Sequence, residues 1–182
     1  MSKVIAAINM TLDGYCDHTS SIPDDDIHYH YAELLNNSGA AIYGRITYEL
    51  MEYWRQFIDS PSGDKSMNEF AITIDRIPKL VFSKTLENVD WKSARIAEMS
   101  LKDELLLLKK ETEKDILICS PSMIVQYPNL KLIDEFQICI HPVLAAGGLA
   151  LFKNLTEKEN LKLIKTKVFN FGGVILYYRI EH

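Results

Sequence analysis

The sequence predicts an α/β fold: a mixed, mostly parallel central sheet flanked by helices, with a C-terminal antiparallel β-hairpin. Three observations predict the mixed sheet. Short apolar runs repeatedly break at a polar or glycine turn and pass into a helical pattern, as in 39–54 and 115–127. Between such units, 101–114 carries Leu101, Leu105 and Leu108 at helical spacing with charges opposite, the signature of an amphipathic helix that covers a sheet. Finally, 161–169 and 174–180 are separated only by Asn170-Phe171-Gly172-Gly173, which reads as a hairpin.

The elements follow in order. Residues 3–10 form a first strand, buried through Val4-Ile5-Ala6-Ala7-Ile8, and Asp13-Gly14 marks the turn after it. A loop runs through Pro23. Asp24, Asp25 and Asp26 then open a helix with Ile27, Tyr31, Leu34 and Leu35 on one face, where carboxylates suit both capping and the macrodipole. His28 and His30 stand two apart on that helix and point to different faces, so no metal site is expected. In GAAIYGRITYELMEYW, 39–54, a strand covered on both faces reaches Gly44, and Arg45 and Thr47 bring a guanidinium and a hydroxyl to its carboxyl end. The turn cluster 60–64 predicts a surface loop, with a short helix over 68–76. Residues 79–82 are a further strand ending in Ser83-Lys84-Thr85, and 86–99 shows only weak alternation around Trp91. A third buried strand, 115–118, breaks at Cys119-Ser120-Pro121-Ser122 before a helical stretch from Met123 to Tyr127. From Ile133, Phe136, Ile138 and Ile140 alternate with Gln137, Cys139 and His141.

The length of 182 residues suits one domain, 1–182. A hydrophobic share of 47% with 25% charged residues is that of an ordinary globular chain, and the net charge of -5 argues against a nucleic-acid binder. The apolar run 4–8 is too short for a signal-peptide core or a membrane span, so a cytoplasmic location is expected. Cys16, Cys119 and Cys139 are widely spaced and form no CxxC pair, which predicts free thiols.

Three pieces carry a resemblance. Gly44-Arg45-Ile46-Thr47-Tyr48-Glu49 resembles the Gly-Arg-x-Thr-(Tyr/Trp)-Glu segment of the dihydrofolate reductase fold. Leu132-Ile133-Asp134-Glu135-Phe136, with Pro142-Val143-Leu144, Gly147-Gly148 and Leu151-Phe152, resembles the C-terminal reductase domain of bacterial riboflavin-biosynthesis proteins. Asn9-Met10-Thr11-Leu12-Asp13-Gly14 is similar to that family's opening Ser-Leu-Asp-Gly turn. The likeness spans nearly the whole chain.

The resemblance implies an NADPH-dependent reductase that passes hydride to a small heterocyclic or sugar-linked substrate of the pterin or ribosylamino-pyrimidine class. It implies cofactor contacts at Gly44, Arg45 and Thr47, at Ser83 and Lys84, and along the turn Cys119, Ser120, Ser122 and Met123. Arginine gives bidentate phosphate contacts and lysine a compact charge. Asp13 is the expected proton donor, with the cluster 24–26 and water as rivals. Asn9, Thr11 and Asp26 are expected to meet the substrate. One departure matters: where relatives carry glycines, this chain has Cys119-Ser120-Pro121, which adds side chains and removes an N–H. That supports a second reading, a non-catalytic or altered-ligand binding protein that keeps the fold, with copies paired as a homodimer through edge strands.

Overall fold

The computed structural model describes residues 2–16, 18–21, 24–125, 131–152, 155 and 158–181. Two expectations fall outside them, the loop at Ile22–Pro23 and the end of the helical stretch at Tyr127.

Eight strands form one sheet in the order β4-β3-β2-β5-β1-β6-β8-β7. They are β1 (Val4–Thr11), β2 (Ser38–Gly44), β3 (Lys79–Phe82), β4 (Ala94–Ile96), β5 (Asp115–Ile118), β6 (Glu135–His141), β7 (Leu161–Val168) and β8 (Val174–Ile180). From β4 to β6 every pairing is parallel, and β6-β8 and β8-β7 are antiparallel. The fold class is therefore the one the sequence predicts.

Alternation along β1 divides the core. Val4 and Ala6 join Leu101, Leu105 and Leu108 of α5 (Leu101–Glu111) and Met123 and Ile124 of α6 (Pro121–Ile124) on one face. Ile5 joins Ala32 and Leu35 of α1 (Asp25–Asn36), Tyr48 of α2 (Arg45–Met51) and Phe70 and Ile74 of α4 (Lys65–Arg76) on the other, with the short α3 (Gln56–Asp59) between α2 and α4 in the chain. A strand with a helical layer on each side is buried on both faces, which is why β1, β2 and β5 read as unbroken apolar runs.

One expectation is corrected, and two segments gain detail. The helix expected over 68–76 is α4 and starts earlier, because the Asp64 carboxylate caps it, accepting from Ser66 N at 2.7 Å and Met67 N at 3.1 Å. Within 86–99, only Ala94–Ile96 pairs, in parallel with β3. On β6 the alternating Gln137, Cys139 and His141 are buried beside the α1 layer.

This topology sets where a site can form. The chain walks from β1 out to β4, then returns through α5 to insert β5 between β2 and β1. β1 leads into α1 on one face and β5 into α6 on the other. The connections diverge above the carboxyl ends of β1 and β5, and a crevice opens there.

Candidate functional site

A cleft of about 720 Å³ occupies that crevice. Its floor is the strand ends: Asn9 from β1, Cys119 after β5 and His141 from β6. Its walls come from α1 through Ile27, His28 and Tyr31, and from the segment 47–54 through Thr47, Met51 and Trp54.

The floor is organised by Asn9. Its Oδ1 accepts a hydrogen bond from Tyr31 Oη at 2.9 Å and lies 3.2 Å from His141 Nε2, which makes Nε2 the protonated ring nitrogen. This part-buried network fixes the amide's orientation and leaves its Nδ2 group as the donor for a ligand. His141 Nε2 also lies 3.8 Å from Cys139 Sγ, and its ring meets Phe171 at 5.4 Å with the planes tilted by 30°. Burial pulls its imidazole below the usual histidine range, so the ring is neutral near pH 7.

The wall is aromatic. Trp54 meets Phe70 edge-on at 4.6 Å and His28 at 5.4 Å, and Tyr53 meets Trp54 at 5.7 Å. Burial lowers the pKa of His28, an effect opposed by Asp64, Asp25 and Asp24. Its Nδ1 lies 3.3 Å from Ser66 Oγ, and that hydroxyl donates to Asp25 Oδ1 at 2.9 Å or Asp64 Oδ1 at 2.8 Å.

The outer rim joins three turns. β2, β3 and β5 are neighbours, and the pairs Gly44↔Phe82 and Ile42↔Ile118 bring the turns that follow these strands side by side. Gly44 N donates to Ser120 Oγ at 2.7 Å, and a Cβ on Gly44 would sit 2.9 Å from Ser122 Oγ, so the two turns approach closely and a side chain at 44 would force the Ser122 hydroxyl aside. Met123 is buried in the core beneath them. Arg45 Nη1 donates to both carboxylate oxygens of Glu49 at 2.9 Å in an exposed pair. Ser83 Oγ accepts from Thr85 N at 3.1 Å and Leu86 N at 2.9 Å, and Lys84 beside it is exposed.

Several sequence candidates do other work. Asp13 accepts from Thr11 Oγ1 at 2.6 Å, Ala145 N at 3.1 Å and Ala146 N at 2.8 Å. Those donors, led by Thr11, hold its carboxyl below the usual range, and it does not line the cleft, so it braces a turn and is not placed as a proton donor. Thr11 is buried and takes Tyr15 N at 3.0 Å. Asp26 accepts from Asn170 Nδ2 at 3.0 Å, tying α1 to the hairpin, and is likewise absent from the cleft lining. Asn9 and Thr47 do line it. The Ser120 hydroxyl is buried and accepts from Gly44, and burial pushes the Cys119 thiol up to about 12, which makes it unreactive at neutral pH. Tyr31, His28, Trp54 and His141 are the residues the sequence did not single out for the site.

A scan of family models matches residues 2–177 to the RibD C-terminal domain. The chain belongs to that family. YyaP of Bacillus subtilis (strain 168) is 31% identical over 182 residues, with 97% of this chain and 94% of that one covered. Among solved structures, a putative riboflavin biosynthesis protein from Shewanella sp. PV-4 superposes with a TM-score of 0.74 at 20% identity, covering 99% of both chains. Dihydrofolate reductase from Enterococcus faecalis, solved in complex with NADP(H) and RAB-propyl, superposes with a TM-score of 0.64 at 12% identity, covering 99% of this chain and 97% of that one. The RibD C-terminal domain members and this chain thus share the dihydrofolate-reductase-like fold, and the family supports a reductase-like role.

Proposed function

We propose that this chain is an NADPH-dependent reductase that delivers hydride to a small heterocyclic substrate held in the carboxyl-end cleft. One observation carries the reading: the turns after β2, β3 and β5 stand side by side at the mouth of a cleft whose floor is polar and whose wall is aromatic. Arg45, Ser83 and Lys84 lie on adjacent turns and suit the adenosine 2′-phosphate. The exposed Arg45–Glu49 pair contributes little to stability, so the guanidinium exchanges a carboxylate for a phosphate at small cost. Thr47 and the Cys119–Pro121 turn border the path into the cleft. Bound NADPH supplies the hydride.

The chain's own part is orientation. Asn9, held by Tyr31 and His141, offers one amide donor at the floor, and Trp54 and its neighbours offer a flat apolar wall. Water or a cleft hydroxyl supplies the proton in this reading, since Glu49 is the one carboxylate among the described lining residues. The protein is read as cytoplasmic, acting on a small molecule and assembled as a homodimer through an edge strand such as β7.

A specific contact favours a second reading, an altered-ligand binding protein. Gly44 N donates to Ser120 Oγ, which removes that N–H from any phosphate cradle at the turn.

Thermal melting with NADPH, NADH or no ligand separates the two readings, because a ligand at 100 times its Kd adds about 2.7 kcal/mol of stability. We expect NADPH to raise Tm more than NADH and Arg45→Ala to erase the preference. Absence of any NADPH shift overturns the reductase reading; where the shift is present, absorbance-monitored NADPH oxidation over pterins and ribosylamino-pyrimidines identifies the substrate.

A further inference from the structure

The opposite end of the sheet carries a site of its own. We propose that the cleft at the amino ends of β1 and β6 binds a small anion of the phosphate class, held by Lys162 and Arg179. This site is separate from the carboxyl-end cleft and does not depend on how that cleft is read.

The charge pattern of the hairpin is the first argument. Residues 161–180 hold Lys162, Lys165, Lys167 and Arg179 and no carboxylate. Lys162 stands opposite Arg179, Lys165 opposite Tyr177 and Lys167 opposite Ile175, so all four cations share one face of the β7-β8 pair. The inner two have partners: Lys165 Nζ lies over the Tyr177 ring at 4.3 Å, and Lys167 Nζ lies 3.4 Å from His30 Nδ1. The side chains of Lys162 and Arg179 form no ion pair or hydrogen bond with any described residue. Like charges directly opposite each other destabilise a sheet. Edge strands carry lysine to discourage further pairing, which accounts for Lys162 on the edge strand β7 but not for Arg179 on β8, which is flanked by β6 and β7. Local rules are broken chiefly at functional sites, and a bound anion is the compensation that this pair lacks.

The cleft itself is the second argument. Lys162 and Arg179 both line it, with a volume of about 620 Å³, and its described lining sets four cations against two carboxylates. Those carboxylates are already engaged. Asp134 accepts from Val4 N at 2.8 Å and lies 3.6 Å from Lys109, and Glu135 lies 3.2 Å from Lys3 and accepts from Gln137 Nε2 at 2.9 Å. Ser2 lines the same cleft at 8% exposure, and its hydroxyl has no hydrogen-bond partner among the described residues. Buried hydroxyls are normally bonded, so this one is a donor lacking its acceptor. The register of β7 shifts between Leu163 and Lys165, a bulge at Ile164, and Leu163 and Ile164 both line the cleft. Bulges re-aim side chains beside sites. Arg179 thus offers a planar fork for two phosphate oxygens, Lys162 a compact charge and Ser2 a hydroxyl, while Leu163 and Ile164 give the organic group of an ester an apolar wall.

The test follows backbone amides by NMR in the whole protein without NADPH, titrating inorganic phosphate or phenyl phosphate against chloride at constant ionic strength and neutral pH. Saturable shifts are expected at Ser2, at 162–164 and at Arg179. Lys162→Ala and Arg179→Ala are each expected to weaken binding about tenfold through loss of a charge-assisted contact. Glu135→Gln is expected to strengthen it by removing a neighbouring like charge. Arg45→Ala, at the other end of the sheet, leaves these shifts unchanged. In chloride alone the two alanine variants are expected to keep or gain stability, because each separates the opposed cations, so lost binding is not lost folding. Tighter binding of phenyl phosphate marks an ester as the occupant, tighter binding of inorganic phosphate marks the free ion, and either supports the site. Absence of saturable shifts with both probes overturns the proposal, as does an affinity that survives both alanine variants. Ser2→Ala is expected to lower affinity severalfold; an unchanged affinity overturns the part assigned to that hydroxyl.

Discussion

The sheet carries a cleft of similar size at each end, about 720 Å³ at the carboxyl ends of β1 and β5 and about 620 Å³ at the amino end, yet their chemistry is opposite. The carboxyl-end cleft holds imidazoles, of which burial lowers the pKa of His28 and His141, together with aromatic rings, one oriented amide and the Glu49 carboxylate. The amino-end cleft is laced with charges: Lys3 lies 3.2 Å from Glu135 and Lys109 3.6 Å from Asp134, and Lys162 and Arg179 stand directly opposite each other across β7 and β8. Asp115 and Asp134 accept the Lys3 and Val4 N–H groups at 2.7 and 2.8 Å, so those carboxylates stitch strand starts together. Volume therefore does not mark the site. Strand direction and the convergence of unlike elements on a few polar groups do.

The largest expected effect sharpens this contrast through pH. Helix α1 walls the carboxyl-end cleft with His28 and buries His30 on another side, where desolvation first, and then Lys167 and Lys165, bring its pKa down to about 4. Between about 4 and the unfolded value near 6.5, the unfolded chain binds a proton at His30 that the folded chain does not. Stability therefore falls as pH drops through that window, with no contribution from this group above it. His28, lowered in the same direction, adds to the acid limb. Urea midpoints at pH 7, 6 and 5 measure it, and His30→Phe is expected to flatten the slope; an equal slope in the variant removes His30 from the account.

Next in size is the rim. Ser120→Ala leaves the buried Gly44 N–H without its acceptor, which costs about 1–3 kcal/mol. Ser120→Gly is the more informative partner, since it opens the turn toward the glycine-rich form of relatives. It is expected to lose the same hydrogen bond while improving NADPH affinity, and a drop in NADPH affinity would place the Gly44–Ser120 contact within the binding site itself.

How much of this was legible in the sequence follows from how each feature is encoded. Burial on both faces writes itself as an unbroken apolar run, so β1, β2 and β5 are visible, and the amphipathic stripe of α5 is visible for the same reason. The start of α4 is hidden because Asp64 is equally good chemistry for a turn and for an N-cap. The rim turns were legible as local motifs. The cleft was not, because Tyr31, Trp54 and His141 come from three separate elements and converge only in the folded sheet. Asp13 and Asp26 misled for the complementary reason: short carboxylates at turns and helix starts bond nearby N–H groups, and sequence does not say which partner wins.

Arg45→Ala follows, with a smaller consequence for the fold. An exposed i,i+4 pair is worth about 0.3–0.5 kcal/mol, so the urea midpoint should scarcely move. NADPH affinity is expected to fall about tenfold, or about 1.4 kcal/mol, because a bidentate phosphate contact is lost. A stability loss without an affinity loss would make Arg45 a helix brace and nothing more.

The smallest effect tests the comparison from the amino end. Lys3 is 57% exposed and Lys109 36%, so each ion pair there is largely screened by water and salt. Holding a long lysine chain in one geometry costs rotamer entropy that offsets most of the Coulomb gain. Lys3→Ala and Lys109→Ala are each expected to change stability by less than about 0.5 kcal/mol, to lose even that difference in high salt, and to leave NADPH and pterin binding unchanged. The alanine variants keep the backbone N–H of Lys3, so its bond to Asp115 survives and strand pairing is not disturbed. A loss of several kcal/mol, or any change in ligand affinity, would break the contrast by making the charged cleft a second organising centre of the fold.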